Sequence, residues 1–199
     1  MKGIAEIITS NDILKIFKET NALLKGHFKL SSGYHSDIYL QCALVMQYPE
    51  LNSLISTLIA DRFRGDKIDV VISPAIGGII LGYEVAKKLG ARAIFAERSG
   101  NEKKMQFRRG FRIETNEKVL LVEDVITTGG SLREIIDLLK EFKVEIIGVA
   151  SIIDRSNGEV KLHNNQYSVV TIKAEKYLPE DCPLCKNKVP IDTPGSRFI

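Results

Sequence analysis

The sequence predicts an α/β fold, with a parallel sheet covered by helices on both faces. Three observations carry that expectation. Short runs that are apolar along their whole length recur from residue 70 onward, helical patterns fall between them, and glycine-rich turns join the two. A strand that is apolar on both sides is buried on both sides, which is the habit of parallel strands joined by crossover helices.

The elements follow in order. Ser10, Asn11 or Asp12 caps a first helix whose apolar positions Ile13, Ile16 and Phe17 recur at helical spacing. Phe28 to Tyr39 holds two semi-apolar runs around a Ser/Gly turn, a hairpin pattern. Pro49 opens a second helix with a stripe of Leu51, Leu54, Ile55, Leu58 and Ile59. Val70–Ser73 is the first core strand, followed by Pro74–Gly78 and a helix that stops at Lys87-Lys88-Leu89-Gly90. Ala91–Ala96 is the next strand, then a polar stretch from Glu97 to Gly110. Lys118–Val122 is a third strand, with a helix from about 131 to 142 behind it. Glu145–Ile153 and Tyr167–Ile172 complete the sheet. With no internal repeat or low-complexity linker, one domain is expected over 1–199. It divides into an N-terminal hood (about 1–48), a core (about 49–175) and a tail (about 176–199).

Composition bounds the function. A chain of 199 residues, 44% hydrophobic, buries a core without staples, which excludes disulfide miniproteins and intrinsic disorder. A net charge of +3 is too balanced for a nucleic-acid coat. Three cysteines are too few, and odd in number, for a disulfide framework, so a reducing, cytoplasmic setting is expected. Neither a secretory signal nor a span of membrane length is visible, so no membrane partner is expected.

The most specific string is Val119-Leu-Leu-Val-Glu-Asp-Val-Ile-Thr-Thr-Gly-Gly-Ser131. An apolar strand ends in two adjacent carboxylates, and small residues then lead into a helix. Backbone N–H groups at such a turn, with the helix dipole, cradle a phosphate. Carboxylates one sugar away accept hydrogen bonds from ribose hydroxyls or hold Mg²⁺ directly or through water. The dinucleotide fingerprint and the Walker lysine loop are both absent.

This string resembles the phosphoribosyl diphosphate (PRPP) signature of the type I phosphoribosyltransferases. Other segments narrow the resemblance to the orotate phosphoribosyltransferases. Phe28-Lys-Leu-Ser-Ser-Gly-Tyr-His-Ser36 is similar to their Phe-x-Leu-x-Ser-Gly-x-x-Ser element, which helps cover the base. Ser73-Pro-Ala-Ile-Gly-Gly78 is similar to their diphosphate loop, and Met105–Phe111 to the end of their mobile catalytic loop. Asp154-Arg155 falls where the family uses arginine for the orotate carboxylate. The likeness runs from about residue 26 to 155, and the tail Cys182-Pro-Leu-Cys185 through Arg197 resembles a longer subgroup.

The resemblance implies a type I phosphoribosyltransferase fold with an N-terminal hood of helix and hairpin. It also implies transfer of ribose 5-phosphate from PRPP to orotate, with Mg²⁺ carried by PRPP rather than by a direct protein ligand. Glu123 and Asp124 hold the ribose, while Val125, Ile126, Thr127, Thr128, Gly129, Gly130 and Ser131 cradle the 5-phosphate. Pro74, Ala75, Ile76, Gly77 and Gly78 receive the diphosphate. Thr127 and Arg155 contact orotate. Lys103 or Lys104 faces the leaving group with Arg98 in support, and the loop reaches a neighbouring subunit, so a homodimer is expected. Rival readings are a purine-type phosphoribosyltransferase and a PRPP-binding regulator without catalysis.

Each piece has a plainer reading. Pro74–Gly78 also serves tight strand–helix packing, and lacks the lysine some relatives carry. Five cations and one acid between Arg98 and Arg109 also suit a solvated loop. Arg155 suits a carboxylate bidentately or a surface salt bridge with Asp154, equally on sequence grounds. Ser31 stands where some relatives place a base-contacting lysine, and Lys29 is two residues away. His27 and His35 read as ordinary polar positions near the hairpin. Cys182 and Cys185 have CxxC spacing without a second pair. A tetrahedral metal site would require Cys42, a histidine or another subunit, so a structural turn is the expectation.

Overall fold

The computed structural model describes residues 8–30, 33–98 and 104–194. Helix α1 (Ser10–Glu19) is capped by Thr9, one residue before the earliest cap the sequence suggests. Thr9 accepts from the Asp12 N–H, and the Asp12 carboxylate accepts from the Thr9 N–H, at 3.3 and 2.8 Å. This reciprocal box satisfies two otherwise orphaned donors, so Asp12 serves from inside the first turn. Strands β1 (Leu23–Lys29) and β2 (His35–Leu40) form an antiparallel hairpin. Between Lys25 and Phe28 the register slips by a bulge, and consecutive residues His27 and Phe28 are both buried. A short α2 (Ala43–Met46) leads to α3 (Pro49–Phe63), which has proline in its first turn.

The core follows as β3 (Val70–Pro74), α4 (Gly78–Leu89), β4 (Arg92–Arg98), β5 (Met105–Phe107), β6 (Lys118–Ile126), α5 (Gly130–Leu139), β7 (Glu145–Asp154) and β8 (Gln166–Thr171). A last short helix, α6 (Pro183–Lys186), lies in the tail. The large sheet has the order β5-β4-β3-β6-β7-β8 and is parallel except for β5 at its edge. Side chains alternate between two cores. Val71, Leu120, Val122 and Ile152 face the side of α1, α3 and α4, whereas Ile72, Val119, Leu121 and Val149 face α5.

Strand β5 corrects the expectation of an unbroken polar stretch from Glu97 to Gly110. Met105 is buried, Phe107 meets Phe142 edge to face with centroids 5.9 Å apart, and the three residues pair antiparallel with β4. Surrounding charges mask that short apolar–polar–apolar pattern in the sequence. The tail returns to the hairpin and brackets it. Tyr177 pairs with His35 on one edge, and Asp192 bonds with His27 and Lys29 on the other. Among the described residues no helix is long and apolar enough to cross a membrane.

Candidate active site

From β3 the chain steps outward one way to β4, then returns to place β6 on the other side of β3. The crevice at the carboxyl ends of β3 and β6 is therefore the topological switch point, where α/β sheets bind ligands. Helices α4 and α5 both start there, after Gly77 and Gly129, and neither has a side-chain cap. Their first-turn N–H groups lack intrahelical acceptors, and both helix dipoles turn their positive ends to the crevice. Gly129 is left-handed (φ 72°), and a β-carbon on it would lie 2.9 Å from Leu162. Only glycine makes this turn without strain.

The loops are shorter than the sequence suggests. Pro74 is the last paired residue of β3, and its loop is Ala75–Gly77, with a cis Ala75–Ile76 peptide. Val125 and Ile126 belong to β6, and the Ile126 side chain is wholly buried. The turn offered to a phosphate therefore runs from Thr127 to Gly129, with Gly130 and Ser131 already in α5. The two loops meet where Gly77 packs on Asp124, leaving 2.7 Å between the carboxylate and any β-carbon there.

Glu123 and Asp124 lie near the carboxyl end of strand β6 and are half-buried. Burial raises the Glu123 carboxyl to about 8, with repulsion from Asp124 adding to it and Arg98 opposing. Burial also raises Asp124, against hydrogen bonds from backbone N–H groups that favour its charged form, Val125 among them at 2.9 Å. Two acids held this way are poised to accept sugar hydroxyls or to face a cation carried by the ligand. Cys42 lies 3.9 Å from the Asp124 carbonyl, and burial pushes its thiol well up, so it acts as a small hydrophobe rather than a nucleophile.

Arg155 leaves the end of β7 and reaches under the hairpin. Its Nη2 donates to Ser36 Oγ and the Ile38 carbonyl at 3.4 and 3.3 Å, while its Nε is buried without an acceptor. Burial lowers the guanidinium below its usual range, although Asp37 opposes this. Asp154 does not pair with it. That carboxylate accepts from Ser156 N, Ser156 Oγ and Gly158 N at 2.7, 2.6 and 3.0 Å, closing the turn after β7. The salt-bridge reading of Arg155 is thereby excluded, and an unclaimed donor stands beside the crevice.

The cationic stretch is partly tied down. Arg98 pairs with Glu134 of α5 at 2.6 Å, and the other Glu134 oxygen accepts from the Met105 N–H at 3.1 Å. Arg109 forks onto Glu97 at 2.8 and 3.0 Å. Lys104 is exposed beside α5, while Lys103 and Ser31 lie outside the described residues. The sequence gives no sign of Glu134, because a helical glutamate looks like any solvated one until β5 docks on it.

Comparison with known proteins agrees with this geometry. Residues 45–184 match the phosphoribosyl transferase domain family, so the chain is a member of that class by fold and sequence. It is 54% identical over 184 residues to orotate phosphoribosyltransferase of Caldicellulosiruptor bescii, covering 92% of this chain and 96% of that one. It is also 54% identical over 190 residues to the Chlorobaculum parvum protein of the same name, covering 96% and 97%. A solved orotate phosphoribosyltransferase from Aeropyrum pernix superposes with a TM-score of 0.68 at 25% identity, over 80% of this chain and 93% of that one. The chain belongs to the orotate phosphoribosyltransferase family.

Proposed function

We propose that this protein transfers ribose 5-phosphate from PRPP to orotate, giving orotidine 5′-monophosphate and diphosphate for pyrimidine synthesis. The observation that carries this reading is Arg155, half-buried, with a buried and unclaimed Nε at the same sheet end as the acidic pair. Orotate brings a carboxylate to a planar fork, whereas adenine and hypoxanthine bring none.

In this reading Glu123 and Asp124 accept the ribose hydroxyls, and the Thr127–Ser131 turn holds the 5-phosphate. The Ala75–Gly77 loop and the start of α4 receive the diphosphate, and Arg155 orients the base. Orotate N1, its proton released to water, bonds to ribose C1 as the bond from C1 to the diphosphate oxygen breaks, with positive charge building on the sugar and negative charge on the leaving group. Positioned dipoles and cations carry such a reaction without a strong base. Lys104, with Lys103 beside it in sequence and Arg98 in support, is assigned to the leaving group. The half-buried acids, each raised by burial, fit a cation brought in with the sugar. Mg²⁺ bound to PRPP supplies charge neutralisation on the diphosphate.

A homodimer is supported by Ile76 in the diphosphate loop and by Ile80 and Tyr83 on the helix after it, which expose 84%, 56% and 64% of their surface. A cytoplasmic setting is supported by the free thiol of Cys42. The test is loss of orotate absorbance with PRPP and Mg²⁺, run beside adenine and hypoxanthine. Orotate-dependent turnover is expected, and consumption of PRPP by a purine alone would overturn the assignment. Undiminished activity in Asp124→Asn would remove the ribose role.

A further inference from the structure

We propose that His27, His35, Cys182 and Cys185 form a tetrahedral zinc site that fastens the C-terminal tail to the hairpin. The sequence reading treats the two histidines as ordinary polar positions and the CxxC as a turn. The fold brings all four together, with their ligating atoms within 4.8 Å of one another.

The spacing suits one metal. His27 Nε2 lies 3.0 Å from His35 Nδ1, 3.5 Å from Cys182 Sγ and 3.6 Å from Cys185 Sγ, and Cys185 Sγ lies 3.3 Å from His35 Nδ1. Bonds of about 2.0 Å to nitrogen and about 2.3 Å to sulfur give a tetrahedron with edges of roughly 3.3 Å between nitrogens and roughly 3.5 Å from nitrogen to sulfur. The four donors are already near those edges. Two thiolates and two neutral imidazoles are soft and borderline ligands, which select zinc over magnesium or calcium.

Hydrogen bonding fixes which nitrogen of His27 faces the cluster and crowds that nitrogen with partners. His27 Nδ1 sits 2.8 Å from the Val189 carbonyl, which only accepts, so Nδ1 carries the proton. Neutral Nε2 then presents a single lone pair to three potential donors. A cation reverses the problem and uses one lone pair from each of the four side chains. The Val189 carbonyl becomes the outer partner that fixes the tautomer and the ring.

The site also explains how the tail is held. Helix α6 has four residues and buries none of them, and most of residues 183–194 are exposed. A short segment with little core of its own gains most from a metal link. The bulge in β1 turns His27 inward, β2 supplies His35, and Cys182 and Cys185 come from the start of α6. His35 adjoins Ser36, whose Oγ donates to the Glu175 carbonyl and accepts from Arg155. The metal thus steadies the strand that roofs the proposed base site, without touching substrate.

The experiment is metal analysis of the untagged full-length protein grown with added zinc, beside the Cys182→Ser/Cys185→Ser double variant. About one zinc per chain is expected in the native protein and under roughly a tenth in the variant. Cobalt exchanged into the native protein should show the intense visible bands of tetrahedral thiolate ligation, a readout independent of whether the variant folds. Native protein with neither zinc nor those cobalt bands overturns the proposal. So does zinc retained undiminished by the double variant, or a mass two hydrogens light from a Cys182–Cys185 disulfide.

Discussion

Gly77 packs directly on Asp124, so that a β-carbon at position 77 would lie 2.7 Å from carboxylate Oδ2 and 3.0 Å from Cγ. Through this contact the turn after β3 and the acid at the end of β6 share one surface across the switch point. Gly77→Ala must push Asp124 away from its place. Because position 77 is exposed in a loop, little core packing is lost. We expect kcat/KM to fall by roughly 100-fold or more, the usual result of misplacing a positioning group by an ångström, with the melting temperature nearly unchanged. Steady-state kinetics and thermal unfolding on the same preparation test this pair of outcomes.

Glu123 makes stability depend on pH. Its carboxyl rises from 4.5 to about 8 on folding, so between those values the folded state holds a proton that the unfolded chain has released. Stability therefore falls as pH rises through that window, and the penalty is complete above it. Glu123→Gln removes the penalty. The variant's melting temperature relative to the native protein should be unchanged near the lower bound and increasingly favourable toward the upper one. A difference constant with pH would contradict the assignment.

Arg155 should govern the base and not the sugar. Arg155→Gln keeps some hydrogen-bonding capacity but loses the charge, and a charged hydrogen bond is worth about 1.5–3 kcal/mol. The KM for orotate is expected to rise about 10- to 100-fold, with the KM for PRPP little altered. Arg155→Lys should rescue little, since a point charge does not replace a planar fork. Equal losses for both substrates would move Arg155 out of the base site.

Glu134 holds both sides of the β4–β5 arm, through Arg98 and through the Met105 N–H. An exposed ion pair contributes under about 1 kcal/mol to stability, so Glu134→Gln should barely change unfolding. Amide exchange at Met105–Phe107 should nonetheless accelerate, because the variant loses the charge that anchors this edge strand. Unchanged exchange there would show that Phe107 on Phe142 alone secures the arm.

The sequence by itself determined the parallel core and the acid–acid–turn string, because each is a contiguous segment whose chemistry is local. An apolar strand, two carboxylates and a left-handed glycine retain their meaning wherever the segment lies. The tertiary structure decided everything that depends on a partner far along the chain. Asp154 could be separated from Arg155 only once Ser156 and Gly158 were seen to claim its carboxylate. Strand β5 needed Phe142 and Glu134 to declare itself. The link from His27 and His35 to Cys182 and Cys185 spans some 150 residues and depends on a one-residue bulge and a returning tail. Local pattern fixes what a segment is, whereas which segments meet follows from burying both faces of the sheet at once.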